Sequence, residues 1–273
     1  MPFTLAHPAA VLPLRRTRLV FSALVVGSLA PDFPYFFLLT ERPGIGHSIE
    51  GVFRFCLPAG LAVLLVYHVI VKRPLVALAP AYVRDRLSPA ELQFPFGPLS
   101  RFLRILGSLF LGTITHILWD GFTHDHGFFV KLWPLLREHV SWGNHHPPIY
   151  KLLQFGCSGI GLLILAWAIG RYWRTKMPAA QPVSSDLPSG WRVLILVVMA
   201  CVAATVGLTV VYHYYQFSRH HWKWSTIQAV IYTIAAVNAE VFLYALAWHV
   251  RERVVNRKLL DHAEQELEVS SRR

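Results

Sequence analysis

Apolar runs of about 20 residues, the length that crosses a bilayer core, recur at residues 19–39, 51–71, 102–122, 151–170, 191–212 and 226–250. This pattern predicts an all-α, polytopic membrane helix bundle of about six apolar helices. Pro31, Asp32 and Pro34 interrupt the first run, and two prolines break a helix. That segment reads either as a crossing or as a broken, re-entrant element in which residues 4–14 and 19–30 pack antiparallel around a turn at residues 15–18. Each arm is too short to span, but such a pair is compatible with a membrane when other helices shield it.

The remaining organisation follows from where the pattern changes. Residues 1–150 form an amino-terminal helical half in which polar residues crowd the ends of the early segments. Residues 151–258 supply three supporting transmembrane helices, with a Pro- and Ser-rich linker at 177–190, and residues 259–273 form a charged, helical cytoplasmic tail. No internal repeat is evident, and no cleavable leader is expected. Cys56, Cys157 and Cys201 each sit in an apolar run without paired spacing and read as core thiols.

Composition excludes a large soluble domain, since 54% of the 273 residues are hydrophobic and only 15% are charged. The formal charge of +11 could suggest nucleic acid, but the position of the charges argues otherwise. Arg15, Arg16 and Arg18 precede the first run, Lys72, Arg73, Arg84, Arg86, Arg101 and Arg104 fill the connection after the second, and Arg171, Arg174, Lys176 and Arg192 surround the 177–190 linker. A further basic group, from Arg251 to Arg273, follows the last run. All of these fall on one side of the alternating topology. By the positive-inside rule both termini are cytoplasmic, as in a multi-pass protein of a bacterial inner membrane, and the basic excess is topological. Membrane lipids are then the expected partners, with no nucleic acid among them.

Against this background the His and Asp residues of the early segments stand out. His116, Asp120 and His124 are spaced four apart, and each step turns a helix about 400°, so their side chains drift only about 40° per step. Two imidazoles and a carboxylate on one stripe suit a divalent metal with mixed nitrogen and oxygen ligands, zinc first, with manganese or iron as alternatives. The plainer reading is a hydrogen bond between His116 and Asp120 inside the bundle, with His124 at the headgroups. Asp32 reads either as a ligand or as the N-cap of a helix from Phe33. His47 and Ser48 follow Gly46 in a connection able to bend around a small ligand, or else form an ordinary loop and cap. His7 reaches the level of Asp32 only if the first segment is a hairpin. The outer connections hold or border His47, His124, His126, His139, His145, His146, His213, His220 and His221; there Asp125, His126, His145 and His146 are secondary candidates, and the run Asn144-His145-His146-Pro147-Pro148 is a candidate lining for an entrance. Glu240 in the last run needs a polar partner.

The order Met1-Pro2-Phe3-Thr4, His7-Pro8-Ala9, Pro31-Asp32, His47-Ser48 and His116-x3-Asp120-x3-His124-x2-Gly127 resembles a bacterial membrane family described as domain of unknown function 4184. The same order is similar to a wider set of predicted membrane-bound metal-dependent hydrolases, distantly like zinc-dependent phospholipase C. That similarity implies His7, Asp32, His47, His116 and Asp120 as metal ligands, with His124 additional to the scheme.

Three functions compete on these residues. The first is a metal-dependent hydrolase with its site near the outer face, acting on a lipid-linked phosphoester, in which Asp120 or Asp32 orients water or serves as base. The second is a non-enzymatic protein that binds or passes a metal ion or protons. The third is a polar knot that holds helices together.

Overall fold

The computed structural model of the chain describes residues 4–39, 45–141, 143, 145–185, 187–217 and 222–271. Among these residues the regular elements are all helical, and the one β-pairing is an isolated bridge between His139 and Pro148. The chain begins with a 3-10 helix, Thr4–Arg16, and continues through α1 (Phe21–Leu29), a 3-10 turn (Ala30–Asp32) and α2 (Phe33–Phe37). Five longer helices follow: α3 (Ile49–Leu78), α4 (Leu99–Thr123), α5 (Ile149–Thr175), α6 (Ser189–Phe217) and α7 (Trp222–Ser271). Each contains or begins one of the five stretches long and apolar enough to cross a membrane, whereas Phe21–Phe37 is too short. The chain is thus a multi-pass, all-α membrane bundle, and the interrupted first apolar run forms an apolar helix shorter than those five.

That run forms a hairpin with the segment before it. Thr4–Arg16 rises about 2.0 Å per residue, or about 26 Å in all, and Phe21–Phe37 covers about 25 Å at 1.5 Å per residue. Neither reaches the roughly 30 Å of a hydrocarbon core. The two arms contact one another, and the Thr4 hydroxyl donates to Asp32 Oδ2 at 2.6 Å, so the arms are antiparallel and closed at their open end. Pro8 and Pro13 remove main-chain donors from the first arm. Its burial in protein makes the remaining irregular backbone tolerable at membrane depth: His7, Val11, Ala23, Leu24 and Ser28 are each no more than 1% exposed.

Small residues set how closely the hairpin can sit. A side chain at Gly27 would fall on the Leu109 main chain, and one at Gly112 on the carbonyl of Leu24, so α1 and α4 cross with their backbones nearly touching. Polar groups fasten the same crossing. Thr113 Oγ1 donates to the Gly27 carbonyl at 3.2 Å, and the Val20 amide donates to Ser108 Oγ at 2.9 Å. On the other side Ala6 and Ala9 pack against Gly161 of α5. The buried face of α4 runs Ile105, Ser108, Leu109, Gly112, Thr113, His116, Asp120, the three-and-four spacing of a core stripe. Its last two members carry that stripe into polar chemistry. α6 packs on α7, and α7 in turn reaches α2 and α3.

Candidate metal centre

The hairpin, the start of α3 and the end of α4 bring their polar side chains to one place. Asp32 arrives on the turn after α1, where Pro31 ends that helix. His47 sits on a short 3-10 turn, Ile45–His47, just before α3. Gly46 lies against the Pro31 main chain, so closely that any side chain there would collide with it; this approach seats His47 over Asp32. Ser48 accepts a hydrogen bond from the Gly51 amide at 3.0 Å and caps α3, so of the His47-Ser48 pair the histidine alone faces the cluster. His116 and Asp120 project from α4, one turn apart.

Four side-chain atoms form the compact set. His47 Nε2 lies 3.4 Å from Asp32 Oδ1 and 3.4 Å from Asp120 Oδ2. His116 Nε2 lies 3.6 Å and 3.3 Å from the same two oxygens. One ligand atom from each of Asp32, His47, His116 and Asp120 falls within 4.8 Å of every other. A tetrahedron around a cation with bonds of about 2.0–2.2 Å has edges of about 3.3–3.6 Å, which is the range of the four measured nitrogen–oxygen distances.

Hydrogen bonding explains why these atoms do not simply satisfy one another. His116 Nδ1 donates to the Ser28 carbonyl at 2.8 Å, and a carbonyl only accepts, so Nδ1 carries the proton. In the neutral ring Nε2 then offers a lone pair toward two carboxylate oxygens that only accept. It is buried without a hydrogen-bond partner, as are Asp120 Oδ1 and both ring nitrogens of His7. Two carboxylates facing two imidazoles in a largely buried site need positive charge between them, supplied in the metal-free protein by the proton on His47 and replaceable by a cation. An imidazole whose far nitrogen is anchored to a backbone carbonyl is the arrangement that fixes a metal-ligating histidine. The cluster can therefore hold a divalent metal. The Asp32 side chain caps no helix: Oδ1 belongs to the cluster and Oδ2 accepts from Thr4.

His7 and His124 stand beside this set, each 3.5 Å from Asp120 Oδ1. The His7 ring stacks on that of His116, with centroids 3.8 Å apart, and meets Trp119 edge-on. All six histidine and aspartate candidates thus converge, with the first four enclosing the compact set and the last two flanking the second oxygen of Asp120. At His47, burial alone would lower the imidazole pKa, but the neighbouring Asp120 and Asp32 carboxylates outweigh it and raise the pKa from 6.5 to about 9.

Other candidates do not join the cluster. His126, His139, His145 and His146 are exposed on the connection between α4 and α5, and Asp125 pairs at 3.9 Å with Arg137. Asn144, His220 and His221 lie outside the described residues. Glu240, on α7, keeps both carboxylate oxygens buried without a hydrogen-bond partner. Two contributors were not among the candidate site residues: Thr4, which entered only as the last residue of the opening Met1-Pro2-Phe3-Thr4 motif, and the Ser28 carbonyl, a backbone group with no signature of its own.

A family model described as Domain of unknown function (DUF4184) matches residues 1–246. No curated protein and no solved structure matches the chain. The matched span covers every residue of the cluster and all five apolar crossings up to the middle of α7.

Proposed function

We propose that this chain, which belongs to the DUF4184 family, is a membrane-embedded metal-dependent hydrolase whose substrate is a lipid-linked phosphoester reached near the outer face. The observation that carries this reading is the convergence of one ligand atom from each of Asp32, His47, His116 and Asp120 within 4.8 Å of one another, with His116 Nε2 buried there without a hydrogen-bond partner. A divalent cation bound there, zinc with manganese or iron as alternatives, would lower the pKa of a coordinated water towards about 7 and polarise the ester.

The residues divide the remaining work. Asp32 acts as a ligand, because Thr4 occupies its second oxygen. Asp120 offers Oδ2 to the ligand set and keeps Oδ1 free of hydrogen bonds, which suits it to orient a nucleophilic water or take its proton. His116 is held by Ser28 in the tautomer that binds. His7 and His124 flank Asp120 Oδ1 and set its direction. The exposed ends of the site are His47 and His124, whose side chains are 22% and 32% exposed against 0% for His116, so substrate approaches past these two.

The test is hydrolysis by the purified chain of a panel of lipid phosphoesters, after chelation and again after return of zinc or manganese. We expect activity that follows the metal and falls by about 10²–10⁴-fold in Asp120→Asn, the range typical of losing a general base. Metal-loaded, folded protein that hydrolyses no member of the panel would instead favour the non-enzymatic metal-binding reading.

A further inference from the structure

The far end of the molecule holds a second concavity, unrelated to the metal cluster. A cavity of about 520 Å³ opens among Arg73 of α3, Ser184 and Ser185 of the linker before α6, and Trp248, Arg251 and Glu252 of α7. Its volume lies within the roughly 300–1,000 Å³ of small-ligand sites. Arg73 follows His47 by roughly 26 residues of mostly helical chain, on the order of 35–40 Å at about 1.5 Å per residue. The bilayer with its headgroups is about 40–45 Å thick. When the metal cluster sits near one headgroup layer, this cavity sits in the other.

Its charge is unspent. The other arginines nearby donate to main-chain carbonyls: Arg84 to Ala79, Arg86 to Tyr82, Arg101 to Pro95 and Arg192 to Leu187. Lys72 and Lys176 both converge on Glu91, which Ser88 holds in a capping box. Arg73 and Arg251 make no hydrogen bond or ion pair among the described residues, yet they line the same cavity. Glu252 is the acidic group there, and its nearest ionic partner is His249 at 3.9 Å. Two unpaired guanidinium groups, one near the end of α3 and one within α7, line one recess, and their planar forks match the oxygens of a phosphate. Basic recesses between helix ends at a membrane surface bind lipid headgroups, and Trp248 supplies the ring that such an interface favours. Ser185 is committed, since it donates to the Ala77 carbonyl at 3.1 Å, which leaves the Ser184 hydroxyl as the further donor.

We infer that this cavity binds a phosphate ester between Arg73 and Arg251. Two sources carry that chemistry at this depth, the headgroup of a leaflet phospholipid and a soluble phosphate compound. The full chain in detergent is titrated with dispersed short-chain phosphatidylglycerol and, separately, with inorganic phosphate, and dissociation constants are compared for wild type, Arg73→Gln/Arg251→Gln and the control Arg104→Gln. The expected result is a loss of at least about tenfold in affinity in the double variant, equivalent to about 1.4 kcal/mol, with no change in the control. Loss confined to phosphatidylglycerol identifies the lipid, and loss for inorganic phosphate as well identifies the soluble ester. Thermal melting confirms that the variants, altered only at exposed arginines, remain folded. Equal affinities in wild type and the double variant, or no binding of either probe by wild type, would overturn the inference.

Discussion

Asp120 is the residue on which the site turns, because its two oxygens face different neighbours. Oδ2 meets His47 and His116, and Oδ1 meets His7 and His124. His47 gives this arrangement a pH dependence. In metal-free protein its pKa is raised from 6.5 to about 9 by the two carboxylates. The stability this adds is therefore fully present below about pH 6.5 and is lost as pH rises through about 9. A metal must displace that proton, so its affinity moves the opposite way, rising about tenfold per pH unit across the same window and levelling above it. Chelator competition and thermal melting between pH 6 and 10 measure both slopes; a metal affinity independent of pH would remove His47 from the ligand set. Much of this site was legible at the level of residues, since the four-residue spacing of His116, Asp120 and His124 needs only helical periodicity. The roles of Thr4 and of the Ser28 carbonyl were not, because neither a hydroxyl within an opening motif nor a main-chain oxygen announces the side chain it will hold.

At the level of elements, the hairpin decides whether the residues meet. Pro31 and Asp32 marked the interruption in the first apolar run, and each of the two arms is shorter than a hydrocarbon core. The sequence left open whether that run was a crossing, since an apolar run of 21 residues broken by proline fits either topology until neighbouring helices are known to cover it. The cover comes from the backbone approach of α1 to α4 at Gly27 and Gly112, and such an approach is invisible to hydropathy. Gly112→Leu should push the two helices apart, destabilise the fold by about 1–3 kcal/mol or more, and separate Asp32 from Asp120. Gly107 on the same helix has open space around it, so Gly107→Ala should leave the fold intact and, by helix propensity, stabilise it by up to about 1 kcal/mol. Denaturation and metal retention of the two variants, side by side, distinguish the crossing from a general intolerance of substitution in α4.

For the whole molecule, the five apolar crossings and the distribution of basic residues separate two faces. The metal cluster lies at one, and the linker and the basic connections lie at the other. We propose that the basic face is cytoplasmic. With five apolar crossings and the Thr4 end of the hairpin at the metal cluster, the two ends of the described chain then lie at opposite faces, unlike the expectation of two cytoplasmic termini. In a variant lacking Cys56, Cys157 and Cys201, a cysteine at His126 should react with a membrane-impermeant maleimide in intact cells, and one at Gln181 only after lysis. The reverse pattern would invert the protein and place the cluster inside the cell. The family match over residues 1–246 covers both faces.

The account rests most directly on the metal content of the purified chain. Protein prepared without a histidine tag, in the presence of zinc and manganese, should carry a stoichiometric divalent ion after desalting. His116→Ala and Asp120→Ala, each shown to be folded by its melting transition, should carry none. Folded wild-type protein that emerges metal-free would contradict the account and leave the cluster as a purely structural polar contact between helices.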